Sequence, residues 1–288
     1  MRFFKVFVIG IMFAAALSIN AKVLEGDVVD KEQRNPLEFA NVSLLHHNVA
    51  TICDKSGHFS LAINDSITID SLVVSYVGYS KTILPIVGDE FRHIELSQCP
   101  VSLNELHVPV PKKIKKHTIG KKHSSGLVLS VICDGDSLNP SPTKGETYGF
   151  EVHSRKGKSW LTKVGFYIKE CYEMMDSMPF RINVYDMRNV KTCPTVDFEN
   201  VLDKPITFLF TKDKVADGKY TYILPEPILL PQEAMIEIEF LEDMNGRFFF
   251  YKGNMVGKST WTKSYGVKMW DKCPFSTPFF IEYMETID

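Results

Sequence analysis

The residue types that carry most protein chemistry are present in this sequence, but not at the spacings that catalysis needs. His46 and His47 are adjacent on an expected strand, so their side chains point to opposite faces and cannot bind one metal ion together. No H-x-x-E, H-E-x-x-H or G-x-S-x-G motif occurs, and these are local patterns of zinc peptidases and serine hydrolases. The sequence therefore predicts no catalytic residue, no metal ligand and no cofactor.

Glu237 and Glu239 alternate within AMIEIEFLE (234–242), which places both carboxylates on one face of a predicted strand. Paired carboxylates carry out glycoside hydrolysis when they flank a substrate pocket. Neither a second pair nor an apolar pocket is indicated by the pattern. We therefore interpret the two glutamates as part of a solvent-exposed strand face.

Aromatic residues give a sharper hypothesis about binding, because flat rings are surfaces on which sugar faces stack. Trp261 lies in the polar segment GKSTWTKS (257–264), which indicates a loop or a sheet edge. We predict that Trp261, Tyr265 and Trp270 form a ligand-binding platform. Trp160 precedes an apolar segment and is predicted to pack in the core. The alternative is that all of these rings pack in the core or at its rim.

The cysteines are widely separated and form no C-x-x-C pair, which disfavours zinc ribbons and thioredoxin-like redox sites. An exported location permits disulfides, whereas a large core also accommodates free thiols, so both states stay open. The six residues are Cys53, Cys99, Cys133, Cys171, Cys193 and Cys273.

Residues 1–21 predict a secretory signal. Basic residues precede an apolar run over 6–17, small residues follow, and cleavage is expected after Ala21. An uncleaved membrane anchor is the alternative, because Ile19 is larger than the residue that usually stands three positions before the cut. No later segment offers the ~18 apolar residues that a spanning helix needs. The exported chain is therefore not expected to span the membrane.

Length and composition predict a two-domain globular protein. The chain has 288 residues, of which 44% are hydrophobic and 24% are charged, and this composition is ordinary for a folded protein. The net charge of −2 provides no overall attraction for nucleic acid or anionic membranes. We therefore expect no nucleic-acid partner.

Short stretches of alternating hydrophobicity between residues 22 and 108 predict about seven strands. In DKSGHFSL (54–61), Gly57 marks a turn before an alternating segment, which predicts a hairpin. In VSYVGYSK (74–81), Gly78 permits a bulge or a turn. Such a set of strands without an amphipathic helix predicts a Greek-key β-sandwich.

Three segments in this region resemble one known family. GDVVDKEQRNPLEFANVSLL (26–45), TICDKSGHFSL (51–61) and LVVSYVGYSK (72–81) are similar to the carboxypeptidase-regulatory-like domain. The resemblance covers about residues 23–108 and implies a transthyretin-like Greek-key β-sandwich, also classed as a carbohydrate-binding-like fold. Such domains occur at the N-terminus of TonB-dependent outer-membrane receptors, which implies a cell-envelope setting. The sequence departs from the family at Cys53, where a small hydroxyl residue is usual.

The positions that match the family are framework residues rather than a ligand site. The chain beyond the domain is too short for a plug and a large transmembrane barrel, so the protein is not expected to be the transporter itself. The matching residues are Gly26, Asp30, Pro36, Leu37, Ala40, Val42, Asp54, Gly57, Phe59, Ser75, Gly78 and Tyr79.

Prolines and a run of lysines predict a linker over residues 109–125. Residues 126–288 then show short β-like stretches, turn signals such as Asn245-Gly246 and no long helical period, which predicts a jelly-roll-like β-sandwich. Prolines 225, 227 and 231 predict a loop outside the sheet centre. The ten stretches are 127–132, 148–152, 160–168, 180–185, 206–210, 219–224, 234–241, 247–251, 265–269 and 279–283.

These patterns together predict an exported, non-enzymatic, all-β protein of the cell envelope that binds a glycan or an envelope protein. It is expected in the periplasm, at the outer membrane or outside the cell. The alternative is a secreted hydrolase whose site is assembled from scattered residues. A cleft with converging carboxylates or histidines would distinguish that alternative.

Overall fold

The computed structural model describes residues 21–64, 67, 71–87, 91–99, 113–120, 130–133, 144–154, 157–169, 176–188, 200–243, 248–251, 260–263, 270–273 and 277–287. Within these ranges the regular structure consists of nineteen β-strands and one 3₁₀ turn, Lys212–Lys214. The strands form four sheets, two in each of two sandwiches, so the all-β prediction is confirmed. The predicted signal lies outside the described residues except for Ala21. No helix in the described part of the chain is long and apolar enough to cross a bilayer.

The first sandwich contains the predicted seven strands. In one sheet the central strand β1 runs antiparallel to β4 and parallel to β7, and the opposing sheet has the order β3-β2-β5-β6. The strands are β1 (Ala21–Asp30), β2 (Asn41–Leu44), β3 (Ala50–Ile52), β4 (His58–Asn64), β5 (Ser71–Ser75), β6 (Thr82–Pro85) and β7 (Arg92–Leu96).

Alternating side chains hold the two sheets of the first sandwich together. Every second residue of β4 is buried, which is the period of a strand that packs one face on a core. The inward residues of both sheets surround Phe59, whose ring is fully buried. They include Leu24, Val28, Val42, Leu44, Leu61, Ile63, Leu72, Val74, Ile94 and Leu96.

The turn over residues 54–58 connects two different sheets, so the predicted hairpin is wrong. Strand β3 pairs with β2, whereas β4 pairs with β1. The Asp54 carboxylate accepts hydrogen bonds from the amides of Ser56 and His58 at 2.8 and 3.1 Å. Gly57 adopts a φ of +77°, which glycine reaches without strain. The turn therefore carries the chain from one sheet of the sandwich to the other.

Asp30 connects three loops of the first sandwich. Its carboxylate accepts hydrogen bonds from the amides of Gln33 and Glu32 at 2.6 and 2.8 Å, which closes the turn after β1. It also accepts a hydrogen bond from the Tyr79 hydroxyl at 2.7 Å and one from the Gln98 side-chain amide at 2.9 Å. These donors, the Gln33 amide above all, favour the ionised carboxylate and lower the pKa of Asp30 to about 2.

The second sandwich contains the remaining strands. They are β8 (Ile114–Gly120), β9 (Ser130–Cys133), β10 (Thr147–His153), β11 (Ser159–Lys169), β12 (Ser177–Asp186), β13 (Ile206–Thr211), β14 (Lys219–Leu230), β15 (Glu233–Phe240), β16 (Phe248–Tyr251), β17 (Thr260–Lys263), β18 (Asp271–Cys273) and β19 (Phe279–Thr286).

Two sheets of the second sandwich enclose a core rich in aromatic rings. One sheet has the order β13-β12-β15-β10-β17-β18; the other has the order β8-β19-β11-β16-β9, with β14 also paired to β11. The ring of Phe166 lies between 5.2 and 5.5 Å from those of Phe180, Phe210, Tyr220 and Phe279. These centroid distances are typical of favourable aromatic pairs. The predicted two-sheet sandwich is therefore confirmed.

The segment predicted as a linker contains a strand of the second sandwich. All seven residues of β8 pair antiparallel with β19. Lys115 and Lys116 are exposed on this edge strand, and lysines are common at sheet edges because they discourage further pairing. The second sandwich therefore begins before residue 126. Apart from β8 and Lys113, the predicted linker lies outside the described residues.

Residues 225–230 continue strand β14, so the predicted proline loop is wrong. The pairing of β14 with β11 shifts its register between Leu161 and Lys163. Pro225 and Pro227 lie in this irregular part of the ladder, where a missing backbone N–H is tolerated. Strands β17 and β18 are additional to the predicted set, and the predicted stretch 265–269 lies outside the described residues.

Cys53 and Cys99 are free thiols. Burial raises the pKa of the Cys53 thiol to about 12, so this residue stays protonated and packs as a small apolar side chain. The side chains of the other cysteines lie outside the described part of the structure, and the alternatives of disulfide and free thiol stay open for them.

The lowered pKa of Asp30 predicts a pH-dependent contribution to stability. Because the folded-state pKa of about 2 lies below the ordinary value of 3.8, the contribution is present above pH ~4 and is lost as the pH falls toward ~2. Asp30→Asn should lower the free energy of unfolding at neutral pH. Chemical denaturation at a series of pH values should show this deficit shrinking between pH ~4 and ~2; a deficit that is constant with pH would contradict the assignment.

Candidate functional site

A buried cluster of polar side chains lies on the outer face of the sheet that contains β12, β15 and β17. Alternate residues of β12 and β15 point into the core, so the residues between them point to this outer face. The strand register places Arg181 opposite Glu239 and Asn183 opposite Glu237. We name as the junction cluster the residues Arg181, Asn183, Tyr185, Glu237, Glu239 and Lys263.

Arg181 joins the two sandwiches. Its side chain is 1% exposed, and its Nε donates a hydrogen bond to Oε2 of Glu239 at 2.8 Å. Across the junction, Nη1 donates to the carbonyl oxygen of Phe39 at 2.7 Å, and Nη2 donates to Oδ1 of Asn41 at 3.2 Å. The planar guanidinium thus donates hydrogen bonds to acceptors in both sandwiches at the same time, a geometry that lysine does not provide.

Phe39 presents its carbonyl to Arg181 from a strained backbone. Its φ of +63° lies in the left-handed region, which costs a bulky residue about 1–2 kcal/mol. The ring of Phe39 packs with Ile52 of the first sandwich and Leu241 of the second in a small buried cluster. This apolar contact and the charge-assisted hydrogen bond from Arg181 offset the strain.

Further contacts extend the junction beyond Arg181. Lys144 Nζ donates a hydrogen bond to the carbonyl of Ile52 at 3.0 Å, and Val77 of the first sandwich packs against the core of the second. Gly78 has a φ of +82°, and a Cβ there would lie 2.2 Å from the carbonyl oxygen of Asp203. A side chain at Gly78 would therefore disturb the junction as well as the turn before Tyr79.

Glu237 and Glu239 converge on one amide nitrogen. Asn183 Nδ2 donates to Oε2 of Glu237 at 2.9 Å and to Oε2 of Glu239 at 3.0 Å. Lys263 Nζ lies 3.0 Å from Oε1 of Glu237, and the Tyr185 hydroxyl donates a hydrogen bond to Oε2 of the same residue. With Arg181 against Glu239, each carboxylate has a cation and further donors, as a buried charge requires.

Burial and pairing move the pKa values of the two glutamates in opposite directions. Burial raises the pKa of a carboxyl group, but for Glu237 the Lys263 ammonium and the Tyr185 hydrogen bond outweigh burial, so its pKa is lowered. For Glu239, burial and the neighbouring Glu237 charge outweigh Arg181, so its pKa is raised. Burial and the Glu237 charge also raise the pKa of Tyr185, which keeps it a neutral donor.

The interpretation of Glu237 and Glu239 as a solvent-exposed face is wrong, because they are 1% and 5% exposed. Alternating glutamates on β15 have the pattern of an exposed face, but β12 places polar partners directly opposite them. The available signal was RINVY (181–185), in which polar residues alternate with aliphatic ones. That pattern indicates polar side chains that could pair with the glutamates, but it does not indicate which strand lies beside β12.

The groups of the junction cluster are those that acid–base catalysis uses, but their contacts are those of a structural clamp. Two carboxylates with diverging pKa values are a common feature of acid–base sites. A catalytic acid must also reach its substrate, whereas both glutamates are buried and ion-paired. Within the described ranges, no three His, Cys, Asp or Glu side chains come together as metal ligands would.

The structure buries one of the residues predicted to form a sugar platform. Trp270 is 1% exposed, so it does not present a free ring face as predicted. Its ring fills the space over Gly149, where an added Cβ would lie 2.7 Å from it, and Lys263 Nζ lies 4.9 Å from its centroid. Trp261 is half-exposed, and Tyr265 lies outside the described residues.

Trp160 is half-exposed, so its predicted place in the core is wrong. Its neighbour Leu161 is completely buried, and successive residues of a strand point to opposite faces. Trp270 is therefore the core tryptophan, while Trp160 and Trp261 both reach the surface.

Trp261 lies near the end of its sheet. In the ladder it stands opposite Gly149 on one side and Lys272, on the terminal strand β18, on the other. Lys272 Nζ lies 5.4 Å from the centroid of the Trp261 ring, a distance at which a cation and a ring attract each other. The Nε1 of Trp261 is buried without an acceptor among the described residues. An N–H left in that state costs about 1–3 kcal/mol.

Comparison with known proteins identifies the first sandwich. Residues 24–108 match the CarboxypepD_reg-like domain, which confirms the resemblance of the sequence segments. No curated protein matches the chain. A similarity to the VP2 subviral particle of infectious bursal disease virus covers 92% of this chain and 64% of that one, at 8% identity and a TM-score of 0.21. A TM-score this low carries no argument about fold or function.

Removal of the Arg181 guanidinium should destabilise the whole chain, because it leaves the Glu239 carboxylate buried without its cation. We expect Arg181→Ala to lower the free energy of unfolding by about 3–5 kcal/mol, measured by chemical denaturation. The double variant Arg181→Ala/Glu239→Gln should recover part of this loss, since the unpaired charge is then absent. Arg188→Ala is the matched control: its guanidinium pairs with Asp186 at the surface, and its removal should change stability little. Equal effects at the two arginines would contradict the junction assignment.

Proposed function

We propose that this chain, whose residues 24–108 form a CarboxypepD_reg-like domain, is an exported, non-enzymatic binding protein of the cell envelope. In this proposal the second sandwich binds a glycan at Trp261. The CarboxypepD_reg-like domain is a module fixed to it through the junction cluster. The protein would act by holding a ligand in a defined orientation at the envelope.

The position of Trp261 carries this proposal. Its ring is partly buried near the end of a sheet, three strands away from β12, which carries the Arg181 contact to the first sandwich. An indole ring offers a large flat surface for the apolar face of a sugar. Trp261 also lies opposite Gly149, and the ring over Gly149 is that of the buried Trp270. A fixed neighbour of this kind limits the entropy that Trp261 loses on binding.

The contacts of the junction cluster support a non-enzymatic role. Arg181 and Lys263 are ion-paired with Glu239 and Glu237, and Arg181 is also bonded to the first sandwich. Opening this site to a substrate would separate the buried ion pairs and break the junction. The residues are better suited to fixing the two sandwiches than to turnover.

The N-terminal sequence supports export. Residues 1–21 combine basic residues, an apolar run and small residues near the expected cleavage site, the organisation of a secretory signal. The family resemblance of residues 24–108 points to the cell envelope, since such domains occur in outer-membrane receptors. The periplasm, the outer membrane and the exterior are all compatible with these observations.

A secreted hydrolase is the second candidate, and the convergence of Glu237 and Glu239 on Asn183 favours it. If the pair is catalytic, any glycan that binds should be cleaved, and Glu237→Gln should abolish cleavage while binding is retained. Incubation of bound glycans with the wild-type protein, followed by an assay for new reducing ends, separates the two candidates. Cleavage that depends on Glu237 would overturn the non-enzymatic proposal.

Trp261→Ala should weaken glycan binding about tenfold or more, because stacking on one exposed indole accounts for much of the contact with a sugar face. The melting temperature should change little, since the ring is not part of the core. A glycan array identifies a ligand for the wild-type protein, and calorimetry then compares the variants.

The matched control for this prediction is Trp160→Ala, which removes a second half-exposed tryptophan from the other sheet and should leave binding unchanged. Trp270→Ala should instead lower stability first, because its buried ring leaves a cavity of the kind that costs about 3–5 kcal/mol. If Trp261→Ala and Trp160→Ala bind every array ligand as tightly as the wild type does, Trp261 is not the site.

A further inference from the structure

An exposed lysine and a partly buried indole ring lie together at the end of the sheet that carries Trp261. Lys272 is exposed on the terminal strand β18, and in the described part of the chain its ammonium has the Trp261 ring as its contact and no carboxylate. The indole Nε1 of Trp261 is buried, and no acceptor for it lies among the described residues. We name Trp261 and Lys272 the tryptophan edge.

The nearest lysine on this sheet face, on the adjacent strand β17, is already paired. Lys263 lies 3.0 Å from Oε1 of Glu237 and also lies over the Trp270 ring. Its charge is therefore balanced by a carboxylate, whereas Lys272 is exposed and its ammonium contacts a partly buried ring. The contrast between two lysines on one sheet face singles out Lys272 as the charge that a ligand can meet.

The ladder places the two groups of the tryptophan edge side by side. Trp261 and Lys272 are direct cross-strand partners of β17 and β18, so their side chains lie on the same face of the sheet. The ammonium lies 5.4 Å from the ring centroid, which leaves a sugar ring room to cover only part of the indole while a substituent of that ring meets the charge.

We infer that the glycan bound at the tryptophan edge is acidic, with a sugar carboxylate that accepts hydrogen bonds from the Lys272 ammonium. This inference rests on the proposed glycan-binding function and specifies its ligand class. A uronate combines the required parts, because its ring has an apolar face for stacking and its carboxylate has two acceptor oxygens. A neutral sugar would offer the Lys272 ammonium no charged acceptor.

The carboxylate also explains why a cation lies over part of the ring. In the free protein the Lys272 ammonium is stabilised by the electron-rich ring face. A neutral sugar would have to displace this ammonium without replacing its partner. An acidic sugar supplies a new partner for the same charge, so stacking and ion pairing act together.

The experiment compares a galacturonate trimer with a galactose trimer of the same linkage, using calorimetry on the full chain. The wild-type protein should bind the acidic trimer more tightly by about tenfold, the scale of one charge-assisted hydrogen bond, and this preference should decrease with added salt. Lys272→Gln should remove the preference while leaving the melting temperature unchanged. Trp261→Phe keeps a ring of smaller area, and it should weaken the binding of both trimers while the preference for the acidic one is retained.

Lys214→Gln is the matched control, because Lys214 is an exposed lysine on the 3₁₀ turn away from β17 and β18. It should leave both affinities unchanged. Equal binding of the two trimers by the wild type, or an acidic preference that survives in Lys272→Gln, would overturn the inference and leave the glycan-binding proposal standing.

A hexaglutamate peptide tests the other source of carboxylates. If the peptide binds through Lys272 and neither trimer binds, the ligand is an acidic protein segment, and the glycan inference is overturned. If neither trimer, nor the peptide, nor any array glycan binds, both the inference and the proposed function fail.

Discussion

The hydrogen bonds of one buried guanidinium determine how the two sandwiches can be arranged. Arg181 is buried, and its donors reach Glu239 on the neighbouring strand and Phe39 and Asn41 in the first sandwich. A buried ion pair adds little net stability compared with apolar packing, whereas an unpaired buried charge costs several kcal/mol. Any other orientation of the first sandwich would leave Arg181 donors without acceptors. The interaction therefore contributes more to the choice of one arrangement of the sandwiches than to the stability of that arrangement.

The fold was predictable where hydrophobic alternation is local. The seven strands of the first sandwich and most strands of the second follow from period-two patterns that need no knowledge of their neighbours. Pairing was not predictable in the same way. The turn at Gly57 crosses between sheets because β3 and β4 find different partners. Strand β8 was not predicted, because a lysine-rich edge strand and a lysine-rich linker have similar amino-acid compositions.

The candidate site was less predictable, because burial there is decided by contacts distant in sequence. Glu237 and Glu239 have the pattern of an exposed face until β12 supplies Arg181 and Asn183 and the first sandwich covers them. The tryptophans show the same limitation. Trp160 and Leu161 are successive residues of one strand and point to opposite faces of the sheet. A continuous apolar stretch does not indicate which of the two faces the core. The polar flanks of Trp261 predicted a loop or a sheet edge, whereas the residue lies on β17, which is paired with β10 and with β18.

One sheet face connects the junction cluster with the tryptophan edge. Lys263 pairs with Glu237 in the cluster and lies over Trp270, whose ring covers Gly149 opposite Trp261. Coupling between the junction cluster and the tryptophan edge would require an element with two alternative arrangements. Each carboxylate in the junction cluster already has its cation and donors. A network in which each buried carboxylate is ion-paired resists rearrangement. In the proposed function, the sheet holds Trp261 in place relative to the CarboxypepD_reg-like domain, and the attachment of that domain would set the direction in which a ligand is presented.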